Sequence, residues 1–393
     1  MVGVGDGGGG FGGRAVVLDW EGGSNFFARY ALTRVRGPEA DVVFLYGQGG
    51  FGAVFGCELV EATGTGILES IEPPPTPLVD LVVKRIDPPR LSRREAEDLY
   101  NREVCTAYTA RVAMERRGLA YLLAGILDGY MCHDSANDRF TIFAVMERLT
   151  EAVPHPFAIP HGAPMPAPGH LPVRVIGGDA DLMDYVGGTT RHPPRLLTPF
   201  AARMVVKQLL TVLAALHEEG YVHRDVKLDN VFIAGSEGTG DLAYLRVKLG
   251  DFSLMRNYGD PTTPITSTAP MRDFQPPEQT QRPLPPGFTY DGRLDVFSVG
   301  CVWYAAITGM SPRNEDAVAA VSPALKALVR RPPAEPDRDE AEARALFDAR
   351  FPLGFRKADG RLTSDGVLLM AMTRRCRDQR LTAAEALLSE RMN

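Results

Sequence analysis

Tyr221-Val222-His223-Arg224-Asp225-Val226-Lys227-Leu228-Asp229-Asn230 is the stretch that decides how this 393-residue chain is read. It gathers a histidine, an arginine, a carboxylate, a lysine and, five positions after the carboxylate, an amide. A polar loop following a helix needs no such combination. The spacing suits a carboxylate that meets an accepting hydroxyl and, five residues on, an amide oxygen that meets a metal ion. The helix before it is marked at both ends. Thr198 is an N-cap, Pro199 sits at the first helical position and Gly220 offers the stop. Val205, Leu209, Val212 and Leu216 recur on one helical face. Downstream stands Leu249-Gly250-Asp251-Phe252-Ser253, approached by the strand-like Val247 and Leu249. An isolated Asp-Phe carries no weight, but after this loop Asp251 becomes a second candidate metal ligand.

Nearer the start, Gly47-Gln48-Gly49-Gly50-Phe51-Gly52-Ala53-Val54 spells GxGxxGxV. Glycines let backbone N–H groups approach phosphate oxygens with no Cβ in the way. The pattern is weak alone, since Gly5-Asp6-Gly7-Gly8-Gly9-Gly10 also fits it in a segment with no other signal. A dinucleotide site would need a helix directly after the glycines. Strand-like Ala53, Val54 and Phe55 follow instead.

Taken together, these motifs make the sequence resemble the eukaryotic protein kinases, from about Val42 to Leu388. The resemblance implies an α+β, two-lobed fold, with a small antiparallel β lobe carrying one main helix and a larger helical lobe. It implies ATP and Mg²⁺ as cofactors and a protein as substrate. Asp225 would be the catalytic base, with Lys227 neutralising charge on the transferred group, and Asn230 and Asp251 would hold the metal. Lys84, closing the apolar Val82-Val83-Lys84, matches the lysine that holds the α- and β-phosphates. The chain has six lysines against 37 arginines, which makes a lysine at this place less of an accident. Glu103 matches its helix partner, with Glu95 and Glu97 as competitors. Gly47, Gln48, Gly49, Gly50 and Gly52 would cover the phosphates. Met146 fits the gatekeeper, Glu147-Arg148-Leu149 the hinge, and Val54, Val82 and Phe232 the walls around adenine; plain core packing is the bland alternative for each. Phe274-Gln275-Pro276-Pro277-Glu278 resembles A-P-E, whose glutamate finds a late arginine, here Arg380. Asp295 resembles the buried aspartate that holds the catalytic loop. Arg224 resembles the arginine that binds a phosphorylated activation segment, for which Thr262, Thr263, Thr266, Ser267 and Thr268 are candidates.

Some positions depart from the pattern. Ser253 replaces a glycine, Val82 stands where alanine is usual, and Met271 occupies the place of a threonine that supports the loop. The double proline before Glu278 and Asp-Phe-Ser-Leu-Met-Arg resemble the secreted rhoptry kinases of apicomplexan parasites, some of which are pseudokinases. The leading reading is a serine/threonine kinase. The alternatives are a pseudokinase scaffold that binds nucleotide and partners, and a small-molecule kinase of related fold.

Composition agrees with a globular chain: 45% hydrophobic and 23% charged residues. With 40 glycines and 31 prolines it carries about 18% of these two, against a usual ~12%, and the excess belongs in loops and a tail. A net charge of −6 without charge blocks disfavours duplex nucleic acid as partner. Five scattered cysteines with no CxxC disfavour a disulfide framework or zinc site. No run of 18 apolar residues and no secretory leader stand in the sequence. The sequence leaves the location unknown: cytoplasmic by default, or secreted if the chain is of the rhoptry type. The expected organisation is a Gly-rich tail over 1–13, an N-terminal extension over 14–41 and a kinase domain over 42–390. Within that domain, 42–146 would be the small lobe, 147–149 the hinge and 150–390 the large lobe. A Pro-rich insertion is expected between Pro154 and Pro172.

Overall fold

The computed structural model describes residues 30–32, 34–36, 41–43, 45–49, 52–59, 81–86, 91–134, 138–149, 181–187, 195–239, 242–257, 274–280, 291–309, 355–389 and 392. The tail, Gly50, the Pro-rich insertion, the Thr262–Thr268 cluster and Met271 lie outside them. The fold is α+β and comprises two compact units. One draws on residues up to 109 and 125–150, the other on 110–124 and on 179 onward.

In the first unit, β1 (Tyr30–Leu32), β4 (Leu45–Gly49), β5 (Gly52–Leu59), β6 (Leu81–Ile86), β7 (Ile126–Asp134) and β8 (Arg139–Glu147) make an antiparallel sheet in the order β1-β5-β6-β8-β7, with β4 also on β5. A separate hairpin joins β2 (Arg34–Arg36) to β3 (Asp41–Val43). The edge strand β1 comes from the segment read as an extension. Side chains alternate across a strand. Val83 therefore joins Tyr30, Cys57, Tyr130, Cys132, Phe143 and Val145 in a buried cluster, while Val82 and Lys84 take the other face. The register puts Gly47, Val54, Lys84, Ala144 and Gly129 in one row across five strands, with Val82 and Met146 paired beside it.

One interrupted helix begins in this unit: α1 (Arg93–Tyr100), a π-turn (Asn101–Cys105) and α2 (Thr106–Arg116), whose residues from 110 onward count with the second unit. Ser92 and Glu95 form a capping box at its start, satisfying two backbone donors that a helix end leaves open.

The second unit is built on α4 (Pro199–Glu218), which follows α3 (Leu182–Gly187). Thr198 caps it, its Oγ1 accepting from the Ala201 N–H at 3.1 Å, and Gly220 closes it at φ 82°. Val205, Leu209, Val212 and Leu216 are all buried. Among the described residues α4 is the one helix long and apolar enough to cross a bilayer; here its apolar residues lie inside the unit. Then come β9 (Tyr221–Val222), β10 (Val231–Glu237), β11 (Tyr244–Leu249), β12 (Arg256–Asn257) and α5 (Pro277–Thr280). After them follow α6 (Arg293–Thr308), buried from Leu294 to Ala306, α7 (Ser364–Met372) and α8 (Ala383–Leu387). Gln208 ties α4 to β11, donating to the Leu245 carbonyl at 2.9 Å and accepting from the Val247 N–H at 3.0 Å. None of the five cysteines forms a disulfide.

Candidate active site

The loop from His223 to Asn230 runs between β9 and β10, and a buried carboxylate holds the start of its backbone. Asp295, fully buried at the start of α6, accepts from the N–H of His223 at 2.9 Å and of Arg224 at 2.8 Å, and meets His217 Nε2 at 2.9 Å. Burial alone would push its carboxyl up. The hydrogen bond from His217 and the neighbouring His217 and His223 outweigh this and hold it below the ordinary carboxylate range. Arg224 takes a left-handed backbone (φ 71°), and Gln279 of α5 donates to its carbonyl at 2.8 Å.

His223 links this loop to Asp251's segment. Its Nδ1 accepts from the Asp225 N–H at 3.3 Å, so Nε2 carries the proton and donates to the Gly250 carbonyl at 3.1 Å. The Gly250 N–H in turn donates to the Asn230 carbonyl at 2.9 Å. The His223 ring packs edge-on against Phe252, centroids 5.2 Å apart.

Asp225 is the centre of this arrangement. Its Oδ2 accepts from Lys227 Nζ at 2.8 Å and Asn230 Nδ2 at 2.9 Å, and its carbonyl accepts from the same amide at 2.7 Å. Among the described residues Oδ1 accepts no hydrogen bond. Burial raises this carboxyl above the ordinary range, while the Lys227 charge and hydrogen bond oppose the rise. Asn230 spends its amide N–H groups on Asp225, so its oxygen is the atom offered elsewhere. Asp251, at φ 56°, accepts from the Ser253 N–H at 3.4 Å. Phe232 follows on β10, bridged to Asp181.

The sheet unit holds the remaining candidates. Lys84 Nζ lies 3.2 Å from Glu103 Oε2, both side chains mostly shielded. The competing carboxylates have local duties: Glu95 accepts from Ser92, and Glu97 pairs with Arg93 at 2.9 Å. Val54 stands opposite Lys84, and Val82 opposite Met146. Glu147 ends β8, and Leu149 follows it. Gly47, Gln48, Gly49 and Gly52 form the paired ends of β4 and β5.

Residues 180–390, just over half of the chain, match the family model for the protein kinase domain. The chain belongs to this family. The protein kinase domain resembles PknB, a serine/threonine-protein kinase of Mycolicibacterium smegmatis, with 31% identity over 43% of this chain and 25% of the relative. It is similar to PknJ, a serine/threonine-protein kinase of Mycobacterium tuberculosis, at 32% over 40% of this chain and 26% of the relative. A probable serine/threonine-protein kinase of Corynebacterium efficiens shares 30% over 48% of this chain and 24% of its own length. The matched region thus spans about a quarter of the length of these curated relatives. All three are bacterial, and they lend no support to the rhoptry grouping.

Three contributors escaped the sequence reading. His217 continues the buried stripe of Leu210 and Leu213 at helical spacing, and a histidine there was the available signal. Gln279 sits immediately after Glu278 with nothing to mark it. Asp181 caps α3 through the Asp184 N–H at 2.9 Å, and burial pushes its carboxyl up to about 7.

Proposed function

We propose that the protein is a serine/threonine protein kinase that moves the γ-phosphoryl group of ATP to a hydroxyl of a protein substrate. The observation that carries this reading is the buried Asp225 carboxylate, with Lys227 and Asn230 on Oδ2 and Oδ1 left to meet a hydroxyl. Asp225 would orient that hydroxyl and accept its proton as the new bond to phosphorus forms. Lys227, 2.8 Å from that carboxylate, would offset charge on the group in flight.

The residues present fit magnesium. Asn230 offers an amide oxygen and Asp251 a carboxylate, two hard donors for an ion that takes few protein ligands and completes its shell with water and phosphate. When bound, Mg²⁺ neutralises charge on the phosphates. Lys84, steadied by Glu103, would hold the α- and β-phosphates, and the amides of Gly47, Gln48, Gly49, Gly50 and Gly52 would cover them. Val54, Val82 and Phe232 would wall the adenine, with Met146, Glu147 and Leu149 along its edge. Positioning and charge stabilisation then supply the rate. Lys227 and the names of the relatives favour serine and threonine as acceptors.

The test is transfer of ³²P from labelled ATP to a peptide array, with Asp225→Asn as control. The expected result is labelling of Ser/Thr peptides that Asp225→Asn abolishes. Equal labelling by the variant assigns the signal to a contaminant. Absence of transfer by a chain that still binds nucleotide leaves the scaffold reading in its place.

A further inference from the structure

The helix that carries Glu103 is wound differently around that residue. At Asn101–Cys105 the Thr106 N–H reaches the Asn101 carbonyl, five residues back, so one extra residue is accommodated between α1 and α2. Single π-turns inside α-helices concentrate at functional places. Adjacent residues point about 100° apart around an α-helix. Glu103 and Val104 must therefore find two different partners on the sheet beneath.

Those partners share the cross-strand row already described. Lys84 pairs with Ala144, and Ala144 with Gly129, so Lys84 and Gly129 lie two strand spacings, about 10 Å, apart. Glu103 meets Lys84 at 3.2 Å. Val104, buried, rests on Gly129, where a Cβ would fall far inside contact distance of Val104 Cγ1. Tyr100, just before the π-turn, donates to the Gly129 carbonyl at 3.0 Å. Gly129 is itself pinned. Its N–H donates to Asp128 Oδ1 at 2.9 Å, and Asp128 Oδ2 accepts from Tyr30 at 3.0 Å and Tyr130 at 2.6 Å.

We propose that Gly129 is a positioning residue for phosphate binding: its missing side chain seats Val104, and this seat fixes the π-turn so that Glu103 reaches Lys84. The proposal rests on the kinase reading of the Lys84–Glu103 pair. In Gly129→Ala the new methyl must lift Val104, and the turn with it, away from the sheet.

The test reads Lys84 directly, by the rate of amine-reactive labelling followed by mass spectrometry, alongside transfer from ATP. Glu103→Gln sets the scale for a lysine released from this glutamate. Gly129→Ala is expected to raise Lys84 labelling toward that scale and to lower kcat/KM for ATP about ten- to hundredfold, as a misplacement near 1 Å does. Gly129→Ala with Val104→Ala should restore both. In a Glu103→Gln background, Gly129→Ala should add nothing, whereas a purely structural role would still lower activity. Parental labelling of Lys84 in folded Gly129→Ala overturns the proposal, as does failure of Val104→Ala to rescue. Should Gly129→Ala not fold, Val104→Ala alone decides in its place: raised labelling supports the seat and parental labelling overturns it. If the parent transfers no phosphate, the kinase reading falls, while the labelling still decides the seat.

Discussion

Arg380 shows what a single residue can be asked to hold. Its guanidinium is fully buried, grips both oxygens of Glu278 at 2.7 and 3.1 Å, and lies 4.9 Å over the Phe297 ring. The carbonyls of Arg374 and Arg293, each at 2.9 Å, take other donors of the same group. Removing one partner strands the other charge in the interior. Arg380→Ala is therefore expected to cost about 3–5 kcal/mol in urea unfolding. Replacing the pair by Met and Gln together should recover part of this loss, and no recovery would mean the damage is steric. Asp181 makes a different prediction. Burial, reinforced by the charges of Asp184 and Asp229, raises its carboxyl to about 7, against an opposing hydrogen bond from the Asp184 N–H. Between the ordinary 3.8 and about 7 the folded chain keeps a proton that the unfolded chain has lost. This group's contribution to stability thus falls as pH rises through that window, by at most about 1.4 kcal/mol per pH unit. Asp181→Asn should flatten that slope in unfolding measured from pH 4 to 7; an unchanged slope would refute the assignment.

Two elements carry predictions of their own. The Thr198 cap of α4 is worth about 1 kcal/mol, which Thr198→Ala should show in chemical denaturation with an unchanged m-value. The His223–Asn230 loop depends on both oxygens of Asp295. Asp295→Asn replaces one acceptor by a donor facing a backbone N–H, at an expected cost of about 1–3 kcal/mol. It should also slow phosphoryl transfer while leaving nucleotide affinity near the parental value; equal damage to both would mean general unfolding. How legible an element was followed from how much of its physics is local. α4 declares itself, since cap, N1 proline, stop glycine and apolar stripe all lie within its own sequence. The His223–Asn230 loop stands out because so many polar residue types meet in one short stretch, and the structure ties them to one another through Asp225. β1 was not: three residues at a sheet edge gain their pairing from Cys57–Leu59, far along the chain. Nor does anything in Asn101-Arg102-Glu103-Val104-Cys105 announce a π-turn, because the contacts on Gly129 and Lys84 come from other strands. Among the three competing glutamates the local signals were there to read. Ser92 with Glu95 spells a capping box, and Arg93 with Glu97 a helical i,i+4 pair.

For the molecule as a whole, a ligand that binds only the folded chain must raise its stability. Mg-ATP at about 100 times its Kd should add about 2.7 kcal/mol, seen as a rise in thermal midpoint, and no shift at millimolar nucleotide would count against binding. The chain also weaves between its two units, since 110–124 belongs with the second although 125–150 returns to the first. Leu122 and Leu123 are buried there, and the Ala124 N–H donates to the Leu249 carbonyl at 2.8 Å. During synthesis that partner arrives about 125 residues later, roughly 6–25 s at ordinary ribosomal speed. For that interval the Ala124 N–H lacks its strand partner, and until α4 is made Leu122 and Leu123 offer a chaperone a hold on the nascent chain.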